Sequence, residues 1–324
     1  MTEVTKNIML FSGRSNPQLS EDIAQILKLE LSGIKIKTFA NGEIYTRYKQ
    51  SVRGSDLFII QSVASTAKGS VNDALMELLI MVDAAKRASA HSVTAVITNF
   101  GYSRQDKKSA AREPITGKLV ADMLSISGVN RVITIDLHQG QIQGFFDIPV
   151  NHLTALPIFA NYFSNLGLEN VCVVSPDVGR AKAAKKLADL LDSDLAIMHK
   201  SRPAHSEAEI SNVIGDVDGK TCIINDDIID TAGSIVAGVQ ALKRQGAQDI
   251  YVCATHALFS GPAYERLEAA EITEVVVGDT VPVPQERQTG KIKMVSVAPL
   301  LAQAISNVFN EVSVSELFDP DFAI

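Results

Sequence analysis

Cysteine is scarce in this sequence. Three of its 324 residues are cysteines, at positions Cys172, Cys222 and Cys253, and each lies within an apolar run. They form neither a CxxC pair nor a cysteine–histidine spacing typical of zinc sites. This argues against a disulfide scaffold or a structural zinc site, and it predicts buried thiols in a protein of a reducing compartment.

Long apolar runs are lacking as well. The best candidate for a membrane span, residues 74–85, is too short and contains Glu77 and Asp83. The opening residues, MTEVTKN, lack the pattern of a signal peptide. We therefore expect a cytoplasmic protein with no membrane segment.

An excess of positive charge is also absent. The formal net charge is −7 and the sequence pI is about 5.4, which argues against a broad surface for nucleic acid. A small anionic ligand is still compatible with this balance, because a few local basic residues can overcome the global sign.

Short apolar runs alternate with helical segments along the chain. The strand candidates are residues 56–61, 92–97, 131–135, 170–174, 221–224, 249–254 and 274–277. The helix candidates are residues 18–28, 71–88, 116–127, 155–165, 180–191, 234–245 and 263–270. This alternation indicates an α/β fold with mainly parallel sheets. Because the pattern occurs twice, we predict two related domains, residues 1–149 and 150–324.

One segment meets two requirements of a sugar phosphate. An apolar run ends in Asp226 and Asp227, whose carboxylates can accept hydrogen bonds from adjacent ribose hydroxyls. The residues that follow lead into a helix, whose N-terminus favours a phosphate anion; they are Asp230, Thr231, Ala232, Gly233 and Ser234. An acidic turn with a Thr or Ser cap is the alternative, but the complete arrangement favours a binding loop. The segment resembles the phosphoribosyl-pyrophosphate (PRPP) motif of type I phosphoribosyltransferases and of PRPP synthetases.

Other polar residues follow predicted strands, at the edge of a parallel sheet where ligands generally bind. Asp136 and His138 follow one strand, and Ser175 and Asp177 follow another. A single histidine is more often structural, yet His138 stands where a phosphate or metal can approach. Asp177 offers an oxygen ligand for Mg²⁺. Since the chain lacks both the GxGxxG and the GxxxxGK[ST] loop, a nucleotide must be held in another way.

Two further segments suit a nucleotide. Residues 101–108 gather basic side chains, among which Arg104 can fork onto a phosphate and Gln105 can pair with a base or ribose edge. Residues 39–43 form an Asn-Gly turn between strands, where Phe39 can stack on adenine and Glu43 can accept from its amino group. Taken alone, the first segment is equally compatible with a solvated basic loop, and the second with an ordinary turn.

A polar stretch begins at His199 and runs to about Ser211. It is either a surface loop or a lid that closes over the reacting groups. Lys200 and Arg202 lie two residues apart, so in an extended backbone both point to one side. They can then reach transferred phosphoryl oxygens.

Together these segments resemble the ribose-phosphate pyrophosphokinase (PRPP synthetase) family over nearly the whole chain. The resemblance includes GRSN at 13–16, NGE at 41–43, NDALMELL at 72–79, residues 101–108, REPIT at 112–116, residues 136–146, SPD at 175–177 and residues 200–203. Each motif is weak alone, but in this order the set is highly specific. The resemblance implies two tandem phosphoribosyltransferase-like domains, each a mainly parallel sheet flanked by helices. It also implies transfer of the diphosphoryl group of MgATP to the C1 hydroxyl of ribose 5-phosphate, giving PRPP and AMP.

The resemblance carries specific roles over to this chain. It implies an ATP site at Phe39, Asn41, Gly42, Glu43, Arg104 and Gln105. It implies Mg²⁺ positions at His138 and Asp177, a catalytic Lys200, and ribose 5-phosphate contacts at Arg202, Asp226 and Asp230–Ser234. Dimers assembled into a homohexamer are implied too. Such a transfer needs alignment and charge neutralisation more than a covalent intermediate, and the general base stays open between His138, an aspartate and water.

The sequence departs from the family pattern at three places. Arg180 follows Gly179 where many members have a second glycine, and Ser201 interrupts a basic cluster. Ala110 and Ala111 replace residues near the family's allosteric anion site, which leaves Ser51, Arg53 and Arg112 as candidate anion contacts.

Two other functions are compatible with parts of the sequence. A non-catalytic regulatory homologue predicts a damaged lysine loop or nucleotide site. A PRPP-using phosphoribosyltransferase leaves residues 41–43 and 101–108 unexplained.

Overall fold

The computed structural model describes residues 7–201, 209–288 and 290–318. Its strands are β1 (Ile8–Ser12), β2 (Ile34–Thr38), β3 (Ile44–Tyr48), β4 (Asp56–Ser62), β5 (Ser92–Asn99), β6 (Arg131–Ile135), β7 (Val150–Leu153), β8 (Val171–Ser175), β9 (Asp194–Ser201), β10 (Glu209–Ile214), β11 (Thr221–Ile229), β12 (Ile250–Ala257), β13 (Glu274–Gly278) and β14 (Ile292–Val295). Its α-helices are α1 (Pro17–Leu27), α2 (Val71–Arg87), α3 (Thr116–Ser127), α4 (Leu156–Asn165), α5 (Ala181–Leu190), α6 (Gly233–Arg244), α7 (Ala263–Ala269) and α8 (Ala298–Phe309).

These elements form two compact units. The first contains the described residues up to Thr154, with Thr280–Pro282 and Ala298–Phe318, and the second contains those of Ala155–Asp279 and Val283–Val297. Helix α8 therefore belongs to the first unit, where it packs against α1. The predicted division of the chain into residues 1–149 and 150–324 stays a prediction.

The first unit is built on a parallel sheet in the order β1-β4-β5-β6-β7. Strands β4 and β5 are apolar runs buried along nearly their whole length, as expected where helices cover both faces of a parallel sheet. Strands β2 and β3 form a separate antiparallel hairpin. Helix α2 begins with a capping box, in which the Ser70 side chain accepts from the Asp73 N–H and the Asp73 carboxylate accepts from the Ser70 N–H.

The second unit contains a sheet in the order β10-β9-β8-β11-β12-β13-β14. Every neighbouring pair is parallel except β9 and β10, which run antiparallel. From β8 the chain adds strands on one side and then returns to place β11 on the other. The carboxyl ends of β8 and β11 therefore form a topological switch point, the usual place for a ligand in such sheets.

The predicted α/β class with mainly parallel sheets is confirmed. All seven predicted strands and all seven predicted helices are present, with ends that differ by a few residues. The prediction omitted strands β1, β2, β3, β7, β9, β10 and β14 and helix α8. Within the part of the chain that the structure describes, no helix is long and apolar enough to cross a bilayer.

Candidate functional site

Strand β11 is longer than predicted, and this changes where its carboxylates stand. The sequence predicts a strand over residues 221–224, with Asp226 and Asp227 in the loop that follows it. In the structure β11 continues to Ile229 along β12, whereas its pairing with β8 ends at Ile224. Both aspartates therefore lie in a strand that has lost one neighbour, at the opening of the switch point.

The two carboxylates converge on one guanidinium. The Asp227 N–H donates to Oδ1 of Asp226 over 2.8 Å, which folds the Asp226 side chain back along the strand. Nε of Arg180 lies 3.9 Å from Oδ1 of Asp226 and 3.7 Å from Oδ1 of Asp227. Consecutive residues of a strand normally face opposite sides, so this local fold is what lets both carboxylates share a single cation.

Burial makes the pair electrostatically sensitive. Asp227 is 2% exposed, and the Asp226 side chain is 17% exposed. Burial first, and then the adjacent Asp227 charge, raise the pKa of Asp226 well above that of an ordinary carboxyl, while Arg180 acts in the opposite direction. The charge state of this pair therefore depends on Arg180 and on any ligand that enters.

The loop after β11 leads into α6 without a side-chain cap among the described residues. Ala232 holds the N-cap position with φ at +60° and makes no side-chain cap hydrogen bond. The Thr or Ser cap weighed as an alternative is thus not formed. Because the first N–H groups of a helix have no partner within it, this end of α6 is suited to an anion. Nη1 of Arg266 donates to the carbonyl oxygen of Thr231 over 3.0 Å and holds the loop from α7.

Asp177 stands at the end of β8, on the same edge. Its Oδ1 accepts from the Arg180 N–H over 3.1 Å and so caps the short 3-10 helix Val178–Arg180. The Ser175 hydroxyl donates to the Asp177 carbonyl over 2.6 Å. The structure thus brings Asp177, Arg180, Asp226 and Asp227 to one switch point, with the loop from Asp230 to Ser234 following β11.

In the first unit, the loop after β5 is held by hydrogen bonds to the start of α3. The Gln105 N–H donates to the Tyr102 carbonyl over 2.9 Å, and the Gly117 N–H donates to the Gln105 carbonyl over 3.1 Å. The Thr116 hydroxyl donates to Oε1 of Gln105. Arg104 is exposed on this ordered loop, so a basic side chain is presented by a backbone with defined geometry.

Residues 39–43 form the predicted turn, between β2 and β3. The Phe39 N–H donates to the Glu43 carbonyl over 2.8 Å, and the Gly42 N–H donates back to Phe39 over 2.9 Å. Gly42 has φ at +91°, which glycine adopts without strain, and Oδ1 of Asn41 accepts from the Glu43 N–H. The Phe39 ring is 43% exposed.

Lys37 was not among the predicted site residues, and it adds a positive charge to the exposed surface around Phe39. Its Nζ lies 4.3 Å from the centroid of the Phe39 ring. This contact places a cation beside an exposed aromatic ring. Lys37 and Phe39 lie two residues apart, so in an extended backbone their side chains face the same side. This spacing is the sequence signal for the contact.

The segment after β6 is also ordered. Asp136 has φ at +40°, uncommon for a residue other than glycine. The Leu137 N–H donates to Nε2 of His152 over 2.9 Å, and a 3-10 helix follows at Gly140–Phe145. His138 is half-buried on this segment. Among the described residues, no group of three or more His, Cys, Asp or Glu side chains is arranged to hold a metal ion alone.

The candidate anion contacts lie on exposed segments of the first unit. Ser51, Arg53 and Arg112 are all exposed, and the Ser51 hydroxyl accepts from the Arg53 N–H over 3.4 Å. Near Arg112, Oε2 of Glu113 accepts from the N–H groups of Ser109 and Ala110 over 2.7 and 2.8 Å. The Glu113 carboxylate therefore already accepts from these two N–H groups, which an anion bound at this loop would need.

The predicted polar loop from His199 is corrected in part. His199, Lys200 and Ser201 are the last residues of β9, and the backbone of Lys200 pairs with Ile210 of β10. The side chain of Lys200 and the whole of Arg202 lie outside the described residues. A strand rather than a loop therefore carries the predicted catalytic lysine.

Arg180 and Arg266 were not among the predicted site residues. The one sequence signal for Arg180 was its departure from the family pattern, in which many members have a second glycine after Gly179. Its proximity to Asp226 depends on the parallel pairing of β8 with β11, which joins residues far apart in the chain. Arg266 carried no signal, because its contact is with a backbone carbonyl.

Comparisons with known proteins agree along the length of the chain. Residues 8–128 match the family model of the N-terminal domain of ribose phosphate pyrophosphokinase, and residues 201–319 match that of the phosphoribosyl synthetase-associated domain. A ribose-phosphate pyrophosphokinase of Caldanaerobacter subterraneus is 50% identical over 319 residues, which are 98% of this chain and 100% of that protein. One from Bacillus subtilis is 47% identical and covers 97% of this chain and 98% of its own length. The crystal structure of phosphoribosylpyrophosphate synthetase from Mycobacterium smegmatis matches with a TM-score of 0.88 and 43% identity, over 94% of this chain and 100% of that one.

Proposed function

The chain belongs to the ribose-phosphate pyrophosphokinase family, and from that premise we propose which of its residues bind ribose 5-phosphate and ATP. The enzyme is a ribose-phosphate diphosphokinase of nucleotide biosynthesis, and it makes PRPP. Its acceptor is a sugar phosphate and its donor is ATP. A site for the acceptor must offer both hydrogen-bond acceptors for hydroxyls and a place for an anion.

The second unit holds ribose 5-phosphate. The supporting observation is that two carboxylates and an uncapped helix N-terminus occur beside the same switch point. Asp226 and Asp227 accept from ribose hydroxyls, while the loop from Asp230 to Ser234 surrounds the 5-phosphate. Arg202, which lies outside the described residues, is assigned to the same sugar phosphate by family resemblance.

The first unit binds ATP. The exposed Phe39 ring stacks on adenine, and the turn formed by Asn41, Gly42 and Glu43 supplies polar groups to the base. Arg104 binds phosphate oxygens and Gln105 supports the nucleotide from the loop after β5. Support comes from the hydrogen bonds that hold the backbone of both segments, because side chains on a fixed backbone lose less conformational freedom on binding.

The donor set fits Mg²⁺ bound mainly through substrate oxygens. Mg²⁺ commonly takes one or two carboxylates together with phosphates and water rather than an all-protein cage. Asp177 supplies such a carboxylate, its position fixed by the bond to the Arg180 N–H. The assignment of His138, in the first unit, to Mg²⁺ rests on family resemblance alone. When bound, the ion neutralises phosphate charge.

Lys200 and Arg202 neutralise charge on the transferring group. Since this chemistry depends on alignment and electrostatic stabilisation, Lys200→Ala should lower kcat by about 10²–10³-fold. Binding of ribose 5-phosphate should change little. Stopped-flow turnover and calorimetric titration with ribose 5-phosphate separate the two quantities, and an equal loss in both would contradict the role.

A homo-oligomer, a hexamer by family resemblance, suits the exposed apolar side chains of the first unit. Met76 on α2 is 51% exposed, and Leu119 and Ile126 on α3 are 55% and 79% exposed. Large exposed apolar groups on neighbouring helices are typical of subunit contacts. A cytoplasmic location suits the three cysteines, which are free and buried.

One assay tests the activity directly. The protein is incubated with ribose 5-phosphate, MgATP and inorganic phosphate, and the nucleotide products are separated. AMP formed in equal amount to PRPP is the expected result. ADP in place of AMP would indicate an ordinary kinase, and no turnover would favour the regulatory homologue.

A further inference from the structure

Arg180 is a largely buried cation at the proposed ribose site, and its Nε–H has no hydrogen-bond acceptor among the described residues. Its side chain is 15% exposed. Its Nε is buried and has no hydrogen-bond partner among the described residues. The nearest acceptors are Oδ1 of Asp226 at 3.9 Å and Oδ1 of Asp227 at 3.7 Å. Both distances are those of ion pairs, and both are too long for a direct hydrogen bond.

A buried donor without a partner is costly, and native proteins rarely leave one unused. The ion pairs reduce the electrostatic cost of burying the guanidinium, but they do not satisfy the Nε–H. The group that satisfies it must accept a hydrogen bond. It must also tolerate, or bond to, the two carboxylates beside it.

A hydroxyl meets both conditions, because it accepts one hydrogen bond and donates another. Placed to one side of the line that joins Nε to a carboxylate oxygen, the hydroxyl oxygen can lie roughly 2.7–3.0 Å from each, the usual lengths of such bonds. A phosphate oxygen does not suit the position, because two negative carboxylates already occupy it. The position therefore selects a neutral donor–acceptor group over an anion.

Backbone contacts fix this geometry. The Arg180 N–H donates to Oδ1 of Asp177 over 3.1 Å, which anchors the 3-10 helix Val178–Arg180 at the end of β8. Strand β11 anchors the carboxylates on the other side of the opening. The donor and its acceptors thus come from the two strands that form the switch point.

We propose that Arg180 binds ribose 5-phosphate, donating from Nε to a ring hydroxyl that itself donates to the Asp226–Asp227 pair. The proposal rests on the assignment of this edge as the sugar-phosphate site. Arg180 makes the site specific for a hydroxylated sugar and holds both carboxylates in one arrangement before the sugar arrives. The remainder of the guanidinium supplies the counter-charge that this buried pair needs.

The test is calorimetric titration of ribose 5-phosphate into the full-length protein with MgCl₂ and no ATP. A hydrogen bond to a charged group is worth about 1.5–3 kcal/mol, so Arg180→Gln should raise the Kd by roughly 10- to 100-fold. KM for ATP should stay within about twofold. Arg180→Lys, which keeps the charge without the Nε donor, should lie between Arg180→Gln and the wild type.

Lys182→Gln is the matched control, because it removes one exposed positive charge two residues away. Its Kd for ribose 5-phosphate should equal that of the wild type. Circular dichroism and thermal unfolding establish that each variant is folded, and Arg180→Lys keeps the test valid if Arg180→Gln unfolds. A Kd within twofold of the wild type in a folded Arg180→Gln or Arg180→Lys protein would overturn the proposal.

A second variant separates this inference from the site assignment. If Asp227→Asn weakens ribose 5-phosphate binding and Arg180→Gln does not, the sugar site is correct and the role of Arg180 is wrong. If neither change alters the Kd, the sugar site itself is misassigned. Loss of ATP and ribose 5-phosphate binding together in Arg180→Gln would indicate a purely structural role and would also overturn the proposal.

Discussion

Asp226 and Asp227 are adjacent carboxylates in a buried strand, and a single arginine faces both. Two adjacent negative charges in a buried strand repel each other and lose hydration, and one cation offsets this unfavourable free energy only in part. This arrangement favours a proton on the pair when no ligand is present. The residue that takes up the proton should make the stability of the protein depend on pH.

The sign of this dependence follows from the raised pKa of Asp226. Above the ordinary carboxyl value of 3.8, the folded protein holds a proton that the unfolded chain has released. The contribution to stability is therefore complete below that value and is lost as the pH rises through the folded-state pKa. We expect the free energy of unfolding to fall with rising pH more steeply in the wild type than in Asp226→Asn.

Urea denaturation at a series of pH values measures the free energy of unfolding of the two proteins. A range of roughly pH 4 to 9 covers the titration of both ordinary carboxyl groups and carboxyl groups with a raised pKa. Glu271→Gln, which removes an exposed carboxylate from the same unit, is the control and should keep the wild-type slope. The same slope in Asp226→Asn as in the wild type would show that this residue does not hold the proton.

At the scale of elements, the loop before α6 depends on a contact from α7. Nη1 of Arg266 donates to the Thr231 carbonyl, and it lies only 3.4 Å from where a Cβ on Gly233 would stand. Arg266→Ala removes this support and should raise KM for ribose 5-phosphate several-fold, because the loop must then be ordered on binding. KM for ATP should stay unchanged in steady-state assays.

Arg244→Ala provides the comparison, since Arg244 is an exposed arginine in the last turn of α6, away from the loop. It should leave both KM values near those of the wild type. An Arg266→Ala enzyme with wild-type KM for ribose 5-phosphate would show that the loop keeps its conformation without the arginine.

The loop after β5 depends in the same way on a glycine. A Cβ on Gly101 would stand 2.8 Å from the Val63 carbonyl and 2.6 Å from the Val63 side chain, closer than real Cβ contacts allow. Gly101→Ala must therefore displace the segment that carries Arg104 and Gln105. We expect KM for ATP to rise about tenfold or more while the affinity for ribose 5-phosphate is retained.

Gly144→Ala is the control within the same unit, because nothing lies within 4 Å of its added Cβ. Thermal unfolding should record a lower midpoint for Gly101→Ala than for Gly144→Ala, since overpacking typically costs 1–3 kcal/mol. If Gly101→Ala bound ATP as the wild type does, the proposed role of this loop in the nucleotide site would be wrong.

The elements that could be predicted from sequence are those with a strong local signal. Strands β4, β5 and β6 are short apolar runs between turns, and α2 begins with a capping box that the sequence displays directly. Strands β2 and β3 were omitted from the predicted strands because their apolar residues are interspersed with lysine, threonine and arginine and are only half-buried. In such strands the local pattern is weak, and pairing between the two strands decides the structure.

The predicted end of strand β11, at residue 224, was wrong for a related reason. Two adjacent aspartates are poor strand residues and read as a turn, yet the strand continues because β12 pairs with it to Ile229. Arg180 supplies the positive charge that offsets the two carboxylates, and no local sequence pattern connects residue 180 to residue 226. The two aspartates could therefore be singled out from the sequence, whereas their contact with Arg180 required the fold.

At the scale of the whole molecule, the chain does not divide at a single point. Residues 298–318 return to the first unit, so helix α8 packs on α1 although the two are separated by most of the sequence. The Thr98 hydroxyl donates to the Thr280 carbonyl over 2.8 Å within the same unit. Removal of the C-terminal helix would therefore expose the apolar face of α1, because the first unit is built from both ends of the sequence.

Assembly is the remaining property at this scale, and α3 is the element that tests it. Ile126 is 79% exposed in the single chain, so a charge at this position costs little in the folded subunit. In an assembled protein the same charge would be buried against a partner, at a cost of several kcal/mol. Ile126→Glu should therefore fold normally and form smaller species than the wild type. Leu166→Glu, at a 42% exposed position in the second unit, is the control.

Light scattering coupled to size-exclusion chromatography measures the molar mass of each protein at equal concentration. The wild type and Leu166→Glu should share a mass that is a multiple of 34.8 kDa, and Ile126→Glu should fall below it. Thermal unfolding of Ile126→Glu should also become independent of concentration if it is monomeric, because subunit association stabilises by mass action. An unchanged mass for Ile126→Glu would show that α3 faces solvent in the assembly and that the subunits associate through another surface.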